Sequence, residues 1–169
     1  MSGSDRRLWP DTERRRGRDR RAAERRNEAG WQAIHLDDGA EDRLLFEAAS
    51  VARVNAQAPY SQFLVGAALR TADGAVVTGC NVENASYGLT VCAERVALLK
   101  ALSEGQTEFT KVVVVADTEA PTPPCGPCRQ LLWEYCGDIE VVLANLEGPS
   151  SRHKLSALLP LPFDNRLLK

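Results

Sequence analysis

Lys111-Val112-Val113-Val114-Val115-Ala116 sets four valines in succession. A strand with one face in water alternates apolar and polar residues, so an unbroken run predicts a central strand covered on both faces. Downstream, Pro124-Cys125-Gly126-Pro127-Cys128-Arg129-Gln130 reads as a loop turning into a helix that begins near Arg129, runs to Tyr135 and is closed by Gly137. Ile139 to Ala144 is a second covered strand, and Leu155 to Leu159 a short last helix stopped by Pro160 and Pro162. Upstream, Val91 to Ser103 reads as a buried helix with Gly105 as its stop. Phe63 to Arg70 and Val76 to Cys80 form a predicted hairpin through Ala72-Asp73-Gly74. Glu41 to Ala56 is an amphipathic helix, with Leu44, Leu45, Ala48, Val51, Ala52 and Val54 mostly on one face and Pro59 beyond its end. Strands alternating with helices in this order predict an α/β fold, a mixed sheet with helices on both faces.

A chain of 169 residues suffices for one domain with a proper core. Hydrophobic residues at 44% and charged residues at 26% are ordinary globular usage. The net charge of −2 argues against a generally basic nucleic-acid binder. That charge is unevenly spread: residues 1–30 carry ten Arg against six acids, net +4, which leaves −6 for the remainder. Residues 1–40 therefore read as an Arg-rich extension, disordered or loosely ordered, ahead of a domain over 41–169. An arm contacting nucleic acid is the alternative, weakened by the interleaved acids. No apolar run approaches the roughly eighteen residues of a membrane helix. The first residues show neither a signal-peptide core nor an acid-poor presequence. Three of the five cysteines look committed to something other than disulfides, which fits a reducing, cytoplasmic location.

Cys125 and Cys128 have the spacing of two bonds to one metal ion, at the start of a helix whose dipole favours anionic ligands. By itself the pair is a redox couple, half of a structural zinc site, or part of a catalytic one. Cys92-Ala93-Glu94 opens another helix in the same way, so three thiols converge where two crossover helices point their N-termini at one spot. Three protein ligands with an open position is the catalytic zinc pattern; a fourth would close a structural site. Cys136 lies about 12 Å along its helix from Cys128. Cys80, ending a strand, is harder to exclude, while His35 and His153, the latter in a late loop, lack ligand spacing. Glu94 is placed to act as a proton shuttle; otherwise it is an acid favoured by the helix dipole. Three thiolates on Zn²⁺ sum to −1, so a neighbouring cation is expected, Arg95 or Arg129.

Cys92-Ala93-Glu94-Arg95 followed by Pro124-Cys125-Gly126-Pro127-Cys128-Arg129-Gln130 resembles the small homotetrameric cytidine deaminases. Pro59 to Leu69, Gly79-Cys80-Asn81-Val82-Glu83-Asn84-Ala85-Ser86-Tyr87 and Leu158-Leu159-Pro160-Leu161-Pro162-Phe163 extend the resemblance over about Glu41–Phe163. It implies a three-layer α/β/α fold with five strands, one more than the clear runs. It implies one Zn²⁺ per chain on Cys92, Cys125 and Cys128, with Glu94 as catalytic acid and base. Hydrolytic deamination of free cytidine and 2′-deoxycytidine, in pyrimidine salvage, is the implied reaction. Asn81 and Glu83 would hold the ribose 3′-hydroxyl and Phe63 would stack near the base. Ala85, through its backbone, with Tyr87 and Phe163, would reach sites shared between subunits of a homotetramer. Arg95 would bond a ligand thiolate, with Gln130 assisting. Read without the resemblance, Phe63 is a core residue, Asn81 a turn residue and Glu83 a loop acid. Pro127 departs from the small residue commoner in the family and removes an amide donor, so a bond to sulfur is expected to be absent. The competing readings are a deaminase of another aminopyrimidine such as blasticidin S, a polynucleotide-editing deaminase and a non-catalytic zinc module.

Overall fold

Two glycines show how closely helices cover the sheet. A Cβ on Gly66 would stand 1.9 Å from the Ala49 carbonyl oxygen, and one on Gly79 2.4 Å from that of Ala93. These helices lie on opposite faces, since neighbouring Gly66 and Ala67 point opposite ways and Ala67 pairs with Gly79. The structure is a computed structural model and describes residues 39–147 and 150–168. The expected Arg-rich extension, apart from its last two residues, lies outside the described residues, as does His35.

The elements are α1 (Ala40–Arg53), β1 (Val65–Thr71), β2 (Val76–Cys80), α2 (Ala93–Ser103), β3 (Phe109–Ala116), α3 (Gly126–Cys136), β4 (Glu140–Asn145), β5 (Ser150–Lys154) and α4 (Leu155–Leu158). Single 3₁₀ turns follow at Tyr87–Leu89 and Asn165–Leu168. The strands form one mixed sheet in the order β2-β1-β3-β4-β5. Among the described strands only β3 and β4 pair in parallel, joined by the crossover through α3. Val112, Val113, Val114 and Val115 are all buried, as expected of a strand covered twice. Leu45 and Ala49 of α1 pack on Ala68, Val113, Val115, Val142 and Ala144.

Several expectations need correction. The buried stripe of α1 is Asp42, Leu45, Ala49 and Ala52, whereas Leu44, Val51 and Val54 are exposed. Asp42 is buried because Lys111 meets it at 2.6 Å and Arg152 also bonds it. Both cations also bind Glu140, at 3.0 and 2.9 Å, so α1, β3, β4 and β5 are joined at one end of the sheet. α3 starts at Gly126, three residues before Arg129. Pro127 falls in its first turn, where a backbone N–H has no partner within the helix, so the helix itself loses no bond. Phe63 and Leu64 precede β1. β5 was not among the clear runs, and it carries His153, which had been expected in a loop.

Candidate active site

β1 begins, and β2, β3 and β4 end, at the same edge of the sheet. The chain leaving β2 enters α2 with Cys92 as N-cap, and the chain leaving β3 enters α3 with Cys125 as N-cap. Two helix N-termini are thereby brought to one point, as the strand-then-helix order predicts. Cys128 follows in the first turn of α3 and is fully buried. The three Sγ atoms lie within 4.8 Å of one another, with Cys92 to Cys125 at 3.7 Å and Cys125 to Cys128 at 3.3 Å. Thiolates on one tetrahedral zinc, each at about 2.3 Å, stand about 3.8 Å apart, so this donor set fits the ion. Among the described residues no fourth candidate ligand joins the cluster; Cys80 and Cys136 are free thiols outside it.

Cys92 and Cys128 are shifted in opposite directions. Hydrogen bonding from Cys128, with Cys125 and Arg95 adding, outweighs burial and lowers the Cys92 thiol. The bond to Cys92, burial and the Glu94 charge all push Cys128 up. Three anions at this spacing repel, and a dication is what allows all to ionise together. Glu94 is 5% exposed. Burial pushes its carboxyl up to about 7, with the Cys92 charge adding to the rise and bonds from its own backbone N–H and Cys128 opposing it. A carboxyl held near neutrality can both take and return a proton.

Of the two expected cations, Arg95 is the one at the thiols. Its Nη2 donates to the Thr90 carbonyl at 2.7 Å and lies 3.9 Å from Cys92 Sγ. Its Nε is buried without a partner among the described residues. Arg129 instead donates to the carbonyls of Pro124 and Leu158, both at 2.7 Å, tying the cysteine loop to α4. Gln130 donates to the Phe163 carbonyl at 2.6 Å, so it holds the C-terminal segment and makes no bond to sulfur.

Asn81, Glu83 and Phe63 gather at the same edge. The Asn81 amide lies between the backbones of Phe63 and Val65, and Glu83 accepts from the backbone of Tyr60 and Ser61. Ala85 is exposed. Tyr87, 75% exposed, meets the Tyr60 ring edge-on at 6.0 Å between centroids. Phe163 is 58% exposed. The part played by Thr90 and by the backbone from Tyr60 to Ser61 was missed in the sequence, because a carbonyl or N–H carries no residue signature.

The family model described as the cytidine and deoxycytidylate deaminase zinc-binding region matches residues 40–144. A cytidine deaminase of Halalkalibacterium halodurans is 52% identical over 122 residues, 72% of this chain and 92% of that protein. One of Sporosarcina psychrophila is 50% identical over 113 residues, 66% of this chain and 83% of that protein. The crystal structure of cytidine deaminase from Burkholderia pseudomallei superposes with a TM-score of 0.70 at 51% identity, covering 72% of this chain and 98% of that one.

Proposed function

Since the chain belongs to the cytidine and deoxycytidylate deaminase zinc-binding family, we propose that it hydrolyses free cytidine and 2′-deoxycytidine to the uridine products and ammonia, in cytoplasmic pyrimidine salvage. The observation that carries this reading is a buried Glu94, two residues from Cys92, at a trio of thiols that fits zinc. Zinc, when bound, supplies a Lewis acid that activates water for attack on C4 of the cytosine. Cys92, Cys125 and Cys128 would hold the ion. Glu94 takes the proton of the attacking water and delivers it to N3, then takes the proton of the new C4 hydroxyl and passes it to the departing amine as the C4–N bond breaks. Its low exposure keeps bulk water from short-circuiting that transfer. Arg95 offsets the excess negative charge of three thiolates from beside Cys92.

Phe63, 38% exposed at the same edge, stacks near the base. Glu83 accepts from the ribose 3′-hydroxyl in a charge-assisted bond, with Asn81 beside it. The Ala85 backbone, Tyr87 and Phe163 complete sites in neighbouring copies of a homotetramer. Their exposure supports this, as do exposed Leu44, Val51 and Val54 along α1.

A substrate panel tests the assignment. Cytidine and 2′-deoxycytidine are expected to lose their amine, whereas single-stranded RNA and DNA are not, because a chain continuing from the 3′-oxygen displaces the hydroxyl that Glu83 accepts from. Deaminated product from a polynucleotide would defeat the nucleoside reading.

A further inference from the structure

The pairing of β1 with β2 ends at Cys80, where the main chain of β2 turns away. The Asn81 N–H still donates to the Val65 carbonyl at 3.2 Å, but the Asn81 carbonyl accepts from Gln57 instead. From there the side-chain amide replaces the missing strand. Its Oδ1 accepts from the Val65 N–H at 2.8 Å and its Nδ2 donates to the Phe63 carbonyl at 2.8 Å. The residue is 7% exposed. Two positions on, Glu83 Oε2 accepts from the N–H groups of Tyr60 at 2.9 Å and Ser61 at 3.0 Å, and Ser61 Oγ accepts from the Phe63 N–H at 3.0 Å. Between these grips sits Gln62 at φ 57°, a left-handed backbone in a residue with a side chain. That conformation costs about 1–2 kcal/mol and persists where the surroundings over-determine it.

We propose that Asn81 is a positioning residue for the base: with Glu83 it clamps the loop from Tyr60 to Val65, and the clamp holds Phe63 against the cytosine. This rests on the nucleoside reading above and moves the main effect of Asn81 from the sugar to the base. Its carbonyl oxygen and one amide proton are spent on the loop, which leaves one N–H to offer a hydroxyl. A stacking ring touches substrate and transition state alike, so loosening the clamp raises KM with kcat little changed.

The test is steady-state kinetics of zinc-loaded wild type, Asn81→Asp, Phe63→Ala and the double variant, with cytidine and with 3′-deoxycytidine. Asn81→Asp keeps the acceptor for Val65 but faces the Phe63 carbonyl with an oxygen. It is expected to raise KM about tenfold, the equivalent of one lost hydrogen bond, and most of that rise should remain with 3′-deoxycytidine, the difference being the one N–H left for the hydroxyl. The zinc content should stay at one per chain, and the substitution should add under about twofold in the Phe63→Ala background, as coupled residues do. Where Asn81→Asp fails to fold, Asn81→Ala removes both grips without adding charge and carries the same comparison. A penalty that vanishes with 3′-deoxycytidine would make Asn81 a hydroxyl ligand and overturn the proposal. So would an undiminished penalty in the Phe63→Ala background, or zinc and kcat falling together at constant KM. Failure of both Asn81 variants to hold zinc counts against it too, because a clamp on one loop leaves the thiols standing. If wild type itself fails to turn over cytidine, the nucleoside reading falls; if it succeeds and the penalty tracks the hydroxyl, only the clamp falls.

Discussion

At the scale of single residues, the site divides into groups that the residue type announces and groups that only geometry assigns. Cys92, Cys125 and Cys128 announce themselves, since three thiols at helix starts with this spacing suit one metal ion. Position next to the motif left two candidate arginines, and the family resemblance pointed to Arg95, the one that lies beside Cys92. Arg95 and Arg129 each follow the motif directly, and both stand in the first turn of a helix. The difference is that α3 turns Arg129 toward the carbonyls of Pro124 and Leu158, while α2 turns Arg95 toward Cys92. Arg95→Gln removes the charge beside the thiols, so zinc affinity measured against a competing chelator is expected to fall by about 10–100-fold. The same substitution at Arg129 is expected to spare zinc affinity. Gln130 shows the limit of reading a residue by its neighbours: it adjoins the ligands in sequence and spends its amide on Phe163.

At the scale of elements, the covered strands and long helices were legible because burial on both faces leaves an unbroken apolar run, as in β3 and β4. β5 left no such trace. Ser150-Ser151-Arg152-His153-Lys154 has no apolar residue, pairs on one side only, and is held by β4. Polar and basic residues are what an edge strand uses to discourage further pairing. The fate of Asp42 was equally hidden, because its partners Lys111 and Arg152 lie 69 and 110 residues away in sequence. Burial raises the Asp42 carboxyl, but the bonds and charges of Lys111 and Arg152 outweigh it and hold the group below the usual carboxylate range. A depressed folded value means that the stabilisation is complete above the unfolded value of about 3.9 and is lost as pH falls through the folded one. Asp42→Asn is therefore expected to lower stability at pH 7 by about 1.5–3 kcal/mol. In denaturant titrations from pH 7 to pH 2 the gap to wild type should close below about pH 4. A gap constant across that range would detach Asp42 from the ion-pair network.

At the scale of the molecule, one end of the sheet is occupied by the ion pairs and the other by the thiols, Glu94 and the clamped loop. Placing the site at the ends of β2 and β3 follows from chain order alone. The proposed sharing of sites between copies does not; it rests on the family resemblance, because an exposed Tyr87 or Phe163 looks in sequence like any core aromatic. Sedimentation of the zinc-loaded protein is expected to give four copies per particle, and a monomer with full activity would remove the shared-site reading. No helix among the described residues is long and apolar enough to cross a membrane. In the proposed function, the residue that joins fold to chemistry is Glu94, buried at the start of α2 and reached by the charge of Cys92. The most direct measurement is cytidine conversion by Glu94→Gln, followed by ultraviolet absorbance, with zinc counted in the same sample. The account predicts one zinc per chain and a rate lower by on the order of 10²–10⁴-fold; a zinc-loaded variant that turns over cytidine as fast as wild type would contradict it.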